Sequence, residues 1–118
     1  MAEAKKEYPI KLSVQVVTYN QERYIEQAIR SALMQKTNFD FEIVIGEDLS
    51  KDKTREICRR LAAEYPKQIR LLEREKNLGM HENHRQTYFA CRGEYIAMLE
   101  GDDFWTDPLK LQKQLPNW

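Results

Sequence analysis

The chain has 118 residues, 42% of them apolar and 32% charged, a balance that suits one soluble globular domain and excludes a disordered or fibrous chain. Lysine plus arginine equals aspartate plus glutamate at 19 each, so no net field draws in nucleic acid. No apolar run reaches the length of a membrane span, and the opening MAEAKKEYP lacks the apolar centre of a secretory signal. A cytoplasmic location is the expectation.

Residues 1–10 read as a polar lead and 11–118 as one domain. KLSVQVVTYN is β-branched and bounded by Asn20, which predicts a buried strand near residues 12–18. QERYIEQAIRSALMQ then spaces Ile25, Ala28, Ile29, Ala32 and Leu33 as one helical face, starting near Asn20 or Gln21. FEIVIGED, residues 41–48, is a second apolar run followed by the polar turn LSKDK. A second helix carries Ile57, Cys58, Leu61, Ala62 and Tyr65 on one face, and Pro66 closes it. QIRLLERE alternates, as a strand nearer a sheet edge does. NLG turns the chain into a third helix, residues 80–91, that stops at Gly93. EYIAMLE is a fourth strand, after which Asp107 and Pro108 cap and open a last helix. Cys58 and Cys91 fall on apolar helix faces and read as buried free thiols rather than a disulfide.

Strict β-α alternation with short connections predicts a mostly parallel sheet in a Rossmann-like three-layer αβα arrangement. Ligands of such sheets gather beyond the carboxyl ends of the strands. Those ends carry Thr18-Tyr19-Asn20, Glu47-Asp48, Asn77 and the run from Glu100 to Asp103. Carboxylates crowded on one rim raise each other's pKa or share a cation. Magnesium and manganese take oxygen ligands and leave positions open for phosphates. In that reading Asp102 and Asp103 hold a metal that bridges to a diphosphate, Asp48 meets the nucleoside, and Tyr19 covers a base or ribose. No GxxxxGK[ST] loop is present and no GxGxxG follows the first strand, so a glycine cradle is not the phosphate site.

Plainer readings stand beside each of these. Asp102 and Asp103 could cap an exposed turn, Asp48 could bond the backbone of Ser50, and Tyr19 could pack as an ordinary aromatic. Asn83 and Arg85 on the third helix reach either the diphosphate or only solvent and caps. His81 and His84 in HENH are spaced one short of a zinc helix and read as surface histidines. Lys110 and Lys113 read as a solvated face. A receiver-like phosphate sensor also gathers acids around magnesium, yet needs a lysine at a later strand end, and none stands there.

SVQVVTYNQERYIEQAIRSALMQ, FEIVIGEDLSKDKT, NLGMHENHR and RGEYIAMLEGDDFWTDPLKLQKQ resemble, in that order and spacing, the donor-binding half of family 2 glycosyltransferases of the GT-A fold. The resemblance runs from Lys11 onward. It implies that Thr18, Tyr19 and Glu22 line a nucleotide site, that Asp48 meets base or ribose, and that Asp102 and Asp103 form a DxD-type motif. The second acid, Asp103, is then the metal ligand, for Mg2+ or Mn2+. The implied reaction moves a sugar from a nucleotide-diphosphate sugar, a UDP-sugar first, to an acceptor hydroxyl of a glycan or lipid-linked chain, with inversion. Polysaccharide biosynthesis and a place in the cytoplasm, or peripheral at the inner membrane face, go with it. Two positions depart from the family's habit: Val17 stands where proline is usual, and Leu49 where glycine or alanine is. In the family the general base and the acceptor-binding part lie downstream of the matched region. The expectation is therefore a donor-binding half that binds without turnover and self-associates through an exposed edge.

Overall fold

The computed structural model describes residues 10–115, so the polar lead lies outside the described residues apart from Ile10. Strands and helices alternate as β1 Ile10–Thr18, α1 Ile25–Leu33, β2 Phe41–Glu47, α2 Thr54–Glu64, β3 Ile69–Glu73, α3 Met80–Ala90, β4 Gly93–Glu100 and α4 Lys110–Gln114. The strands form one all-parallel sheet in the order β3-β2-β1-β4, with β3 at an edge. This is the Rossmann-like α/β class that the alternation predicts.

Handedness decides where the helices go. Right-handed crossovers keep α1 and α2 on one face while the chain steps from β1 through β2 to β3. The step from β3 to β4 runs back across β2 and β1, so α3 must cross on the other face. Accordingly α1 packs beside α2, and α3 lies over β1 and β2. No helix among the described residues is long and apolar enough to cross a membrane.

The two faces differ in chemistry. Leu12, Val14 and Val16 of β1 join Ile43 and Ile45 of β2 against Ile25, Ile29, Cys58 and Leu61, all buried. Each large aliphatic buried there contributes about 1.5–3 kcal/mol. The α3 face is polar: Ser13, Gln15, Glu42, Asn83 and Thr87 are all buried. Glu42 accepts hydrogen bonds from Ser13 Oγ at 2.6 Å and from the Arg92 backbone N–H at 2.7 Å, with the Arg92 guanidinium at 3.0 Å. A buried carboxylate survives because every lone pair that faces inward has a donor.

Element ends depart from the sequence reading for local reasons. Helix α1 starts at Ile25 rather than near Asn20: Asn20 has a left-handed backbone with φ of 52°, outside the helical region, and the loop it opens is tied through the N–H groups of Asn20, Gln21 and Glu22 to Ser50, Thr54 and Asp52. Helix α3 ends at Ala90, and Gly93 opens β4 instead of stopping the helix. A Cβ at Gly93 would lie 2.4 Å from the Ser13 backbone nitrogen, so this position admits only glycine so close to β1. Asp107 does cap a turn, through the N–H of Leu109, but α4 proper begins later, at Lys110. Lys113 is paired with Asp107 at 2.6 Å, and the Lys110 ammonium sits 5.1 Å from the Trp105 ring centre, so neither is simply solvated. Gln35 ties this segment down, donating to the Asp107 carbonyl and accepting from Leu111 N–H.

Both cysteines are free thiols. Burial pushes Cys58 up to about 12, which keeps it protonated and inert. Cys91 is only partly buried, a correction to the expected core position, and burial together with Glu42 pushes it to about 11.

Glu42 sets an acid limit on stability. Burial pushes its carboxyl up, but the hydrogen bonds from Ser13 and Arg92 outweigh that and hold it below the ordinary value of 4.5. A depressed folded pKa contributes stability above the unfolded value and loses it as pH falls through the folded one. Denaturant midpoints followed against pH should therefore drop below pH 4.5 in the wild type. Glu42→Gln should lose about 1–3 kcal/mol at neutral pH and show a flatter acid limb.

Candidate functional site

The stepping direction reverses between β1 and β4, and at such a switch point the loops part and leave a crevice. A cavity of about 450 Å3 opens there. Gln15 and Val17 of β1 and Met98 of β4 line its sheet side. Thr18 and Tyr19, Asp48, and Asn77, Gly79, Met80 and Asn83 of the α3 entry surround them, with Glu100 at the β4 end. Thr18, Tyr19, Asp48 and Asn83, all expected from the sequence, are thus brought together. Glu22 and Arg85 are not.

The loops after β1 and β2 are zipped to one another. Asn20 Oδ1 accepts from Lys51 N–H at 2.8 Å, and Glu22 Oε1 accepts from Lys53 N–H at 3.1 Å. Asn20 and Leu49 adopt left-handed backbone, with φ of 52° and 58°. Asparagine tolerates that conformation; leucine is strained by it, and the zip must hold it. Glu22 is exposed and serves this zip, which takes it away from the cavity lining.

The acids of β2 divide their work. Glu47 is fully buried and accepts from Ser50 N–H, from Ser50 Oγ and from Arg55 Nε, the last at 2.6 Å. The bond to the Ser50 backbone therefore belongs to Glu47, not to Asp48. Asp48 is 2% exposed. Its Oδ1 accepts from Leu78 N–H at 2.7 Å, and its Oδ2 from Gly79 N–H at 3.0 Å and Asn77 Nδ2 at 3.2 Å.

Helix α3 carries no free arginine toward the cavity. Arg85 is exposed and paired with Glu82 at 2.7 Å. Asn83 lines the cavity, but its amide donates to the Gly46 carbonyl at 2.9 Å and its Oδ1 accepts from Arg74 Nε at 3.0 Å. A diphosphate reached by these two side chains is accordingly not what the packing offers. His84 lines the cavity, and its backbone carbonyl accepts from Gln15 Nε2 at 2.9 Å. Gln15 was missed as a lining residue, although the one polar side chain within VQVV was its signal. Its Oε1 is buried without a partner among the described residues.

The acid turn after β4 is pressed against the end of β1. A Cβ at Gly101 would meet Gln21 Oε1 at 2.1 Å and Thr18 Oγ1 at 2.7 Å, so glycine permits the approach. Asp103 N–H bonds the Glu100 carbonyl at 3.0 Å and closes the turn. Asp102 and Asp103 are exposed just beyond Glu100, outside the cavity lining, and neither forms an ion pair among the described residues. No group of three His, Cys, Asp or Glu side chains converges to hold a metal among the described residues. Two exposed carboxylates suit a hard divalent ion that keeps its remaining positions for water and phosphate oxygens, and do not form a closed protein cage.

The cavity therefore belongs to a Rossmann-like α/β domain with an acid-bearing turn beside its switch point. Residues 13–118 match the model of glycosyl transferase family 2, and the chain belongs to that family. An uncharacterized protein of Mycobacterium tuberculosis is 45% identical over 104 residues, covering 88% of this chain and 30% of the relative. An uncharacterized glycosyltransferase of Nostoc is 38% identical over 104 residues, covering 88% and 31%. S. aureus TarS, solved in complex with UDP, superposes with a TM-score of 0.77 at 26% identity, over 91% of this chain and 31% of that one. The chain spans about a third of the length of the relatives it matches.

The wall of the cavity depends on Gly46. A Cβ there would lie 2.1 Å from Thr87 Oγ1 and 2.7 Å from Asn83 Oδ1, and both atoms are held by other hydrogen bonds. Gly46→Ala should overpack this seam, and chemical denaturation should register a loss of about 1–3 kcal/mol.

Proposed function

We propose that this chain is the donor-binding part of a glycosyltransferase that moves a sugar from a nucleotide-diphosphate sugar to an acceptor hydroxyl, inverting the anomeric carbon. The observation that carries the reading is the placement of the cavity at the switch point with the Asp102-Asp103 turn packed against Thr18. Family membership and the likeness to TarS, also solved with UDP-GlcNAc, support a uridine nucleotide as the donor's carrier.

In this reading the nucleoside enters the cavity beside Tyr19, a residue 39% exposed whose ring would cover a base or ribose. The diphosphate extends toward the acid turn. Phosphates and bare carboxylates repel, so Asp102 and Asp103 would hold Mg2+ or Mn2+, Asp103 as its direct ligand. When bound, the ion offsets the charge that builds on the departing nucleoside diphosphate. The acceptor oxygen bonds to the anomeric carbon from the side opposite the phosphate, and the carbon–phosphate-oxygen bond breaks with its electron pair leaving on the diphosphate. The base that takes the acceptor proton is assigned to none of the residues above. Because the chain spans about a third of its relatives, binding without turnover is expected of it alone.

Apolar surface on α3 and β4 outside the cavity lining supports self-association: Phe89 is 71% and Tyr95 45% exposed. A glycan or lipid-linked acceptor, and a site of action at the cytoplasmic face of a membrane, follow from the same family reading.

Calorimetry of UDP with Mn2+ or Mg2+, with and without chelator, tests the donor site. Binding should require the cation, and equal affinity in chelator would remove the metal from the reading. Asp103→Ala should abolish the cation-dependent part while leaving the melting transition in place. Asp107→Ala removes only the Leu109 and Lys113 contacts and should leave nucleotide affinity unchanged. The opposite pattern would move the metal site to Asp107.

A further inference from the structure

We infer that His84 is the positive contact the cavity offers to the donor's diphosphate, so that binding of a nucleotide sugar weakens as pH rises through the neutral range. The inference rests on the donor-site reading above and adds to it a second source of positive charge, away from the acid turn.

Helix α3 presents two different faces. Asn83 and Thr87 turn toward the sheet and close on Gly46. Met80 and His84 stand one helical turn apart, the spacing that puts side chains on one face, and both line the cavity. The sheet holds this turn of the helix in place. Gln15 Nε2 donates to the His84 carbonyl at 2.9 Å, and Gln15 is in register with Met98, another lining residue. The His84 backbone is therefore fixed, while its half-buried imidazole forms no hydrogen bond or ion pair among the described residues.

Charge gives the imidazole its task. Among the described residues the lining holds the carboxylates of Asp48 and Glu100, the phenol of Tyr19, and no lysine or arginine. A nucleotide sugar brings further negative charge on its diphosphate, and a cation at Asp102 and Asp103 would answer it only at the rim. His84 is the lining residue able to turn positive, and a charged N–H on a phosphate oxygen is among the stronger hydrogen bonds. Histidine ordinarily changes charge between about pH 5 and 8. The charged groups around α3 do not replace it. On β2, Glu42 accepts from Ser13 and Arg92, and Asp48 accepts from the turn before α3. Lys11, far down β1, pairs with Glu94 of β4, and Arg74 at the end of β3 donates to Asn83 and Thr87. On α3 itself Glu82 pairs with Arg85, and His81 and Tyr88 are exposed outside the lining.

The test is calorimetry of UDP-GlcNAc with Mn2+ on the intact chain at about pH 6 and pH 8, for wild type, His84→Ala and His84→Arg. Both phosphates of this probe are esterified, so it lacks the terminal phosphate of UDP, which itself titrates at about pH 6. Wild type should bind about tenfold more tightly at the lower pH. His84→Ala should bind as weakly as wild type does at the higher pH, with a profile flat within about twofold. His84→Arg should bind tightly at both, because a guanidinium stays charged. The imidazole is unbonded and half-exposed, and the carbonyl bond to Gln15 is kept, so both variants should melt as the wild type does. A flat wild-type profile would overturn the inference and leave the donor-site reading standing. A pH dependence that survives in His84→Ala would also overturn it, by assigning the titration to another group. So would a loss in His84→Ala that His84→Arg fails to restore, since the contact would then be one of shape and not of charge. A wild type that binds neither UDP-GlcNAc nor UDP at either pH would overturn the donor-site reading and this inference together.

Discussion

The approach of α3 to β2 at Gly46 is the contact on which the carboxyl edge of the sheet depends. No side chain separates the strand from Asn83 and Thr87, so helix and sheet meet through hydrogen bonds. Arg74 joins that seam from the end of β3, donating to both Asn83 and Thr87. Burial pushes its guanidinium pKa down, while the charges of Asp48 and Glu82 push it up. A half-buried arginine is tolerated here because donors and charge are both answered. Once α3 is fixed at this depth, the space above Gln15 and Val17 has a wall, and the cavity follows.

The acids of the rim are separated by what they already bind. Glu47 is committed to Ser50 and Arg55, Glu22 to the loop zip, and Asp48 to the turn before α3. Each of these carboxylates has its negative charge met by protein donors. Asp102 and Asp103 differ: they are exposed, and among the described residues their side chains accept only the N–H of Phe104, on Asp103 at 2.8 Å. A cation that needs oxygen ligands is drawn to the acids the fold has left uncommitted. This division, rather than the number of acids, supports the proposal that a divalent cation would bind at the acid turn.

Much of the fold was legible in the chain. Leu12, Val14 and Val16 alternate against Ser13, Gln15 and Val17, and helical spacing in the first two helices places Ile25, Ile29, Cys58 and Leu61 inward. These patterns depend on local geometry, a period of two in strands and of 3.6 in helices, so neighbours in sequence suffice to reveal them. The carboxyl-edge position of Thr18, Asp48 and Glu100 followed from parallel alternation alone. Helix ends were less legible, since the loop before α1 takes its shape, left-handed at Asn20, from bonds to Ser50, Asp52 and Thr54, about thirty residues away.

What the sequence by itself determined is the element order, the parallel class, the family and the edge at which the polar groups collect. Tertiary structure alone decided which of those groups remain available. Asn83 and Arg85 stand two residues apart on one helix, yet one is buried against Gly46 and the other pairs in solvent with Glu82. Asp48 and Asp103 are the same residue type on the same edge, but one is filled by the turn before α3 and the other faces outward. A side chain's free hydrogen-bonding capacity is set by partners distant in sequence, and no periodicity encodes it.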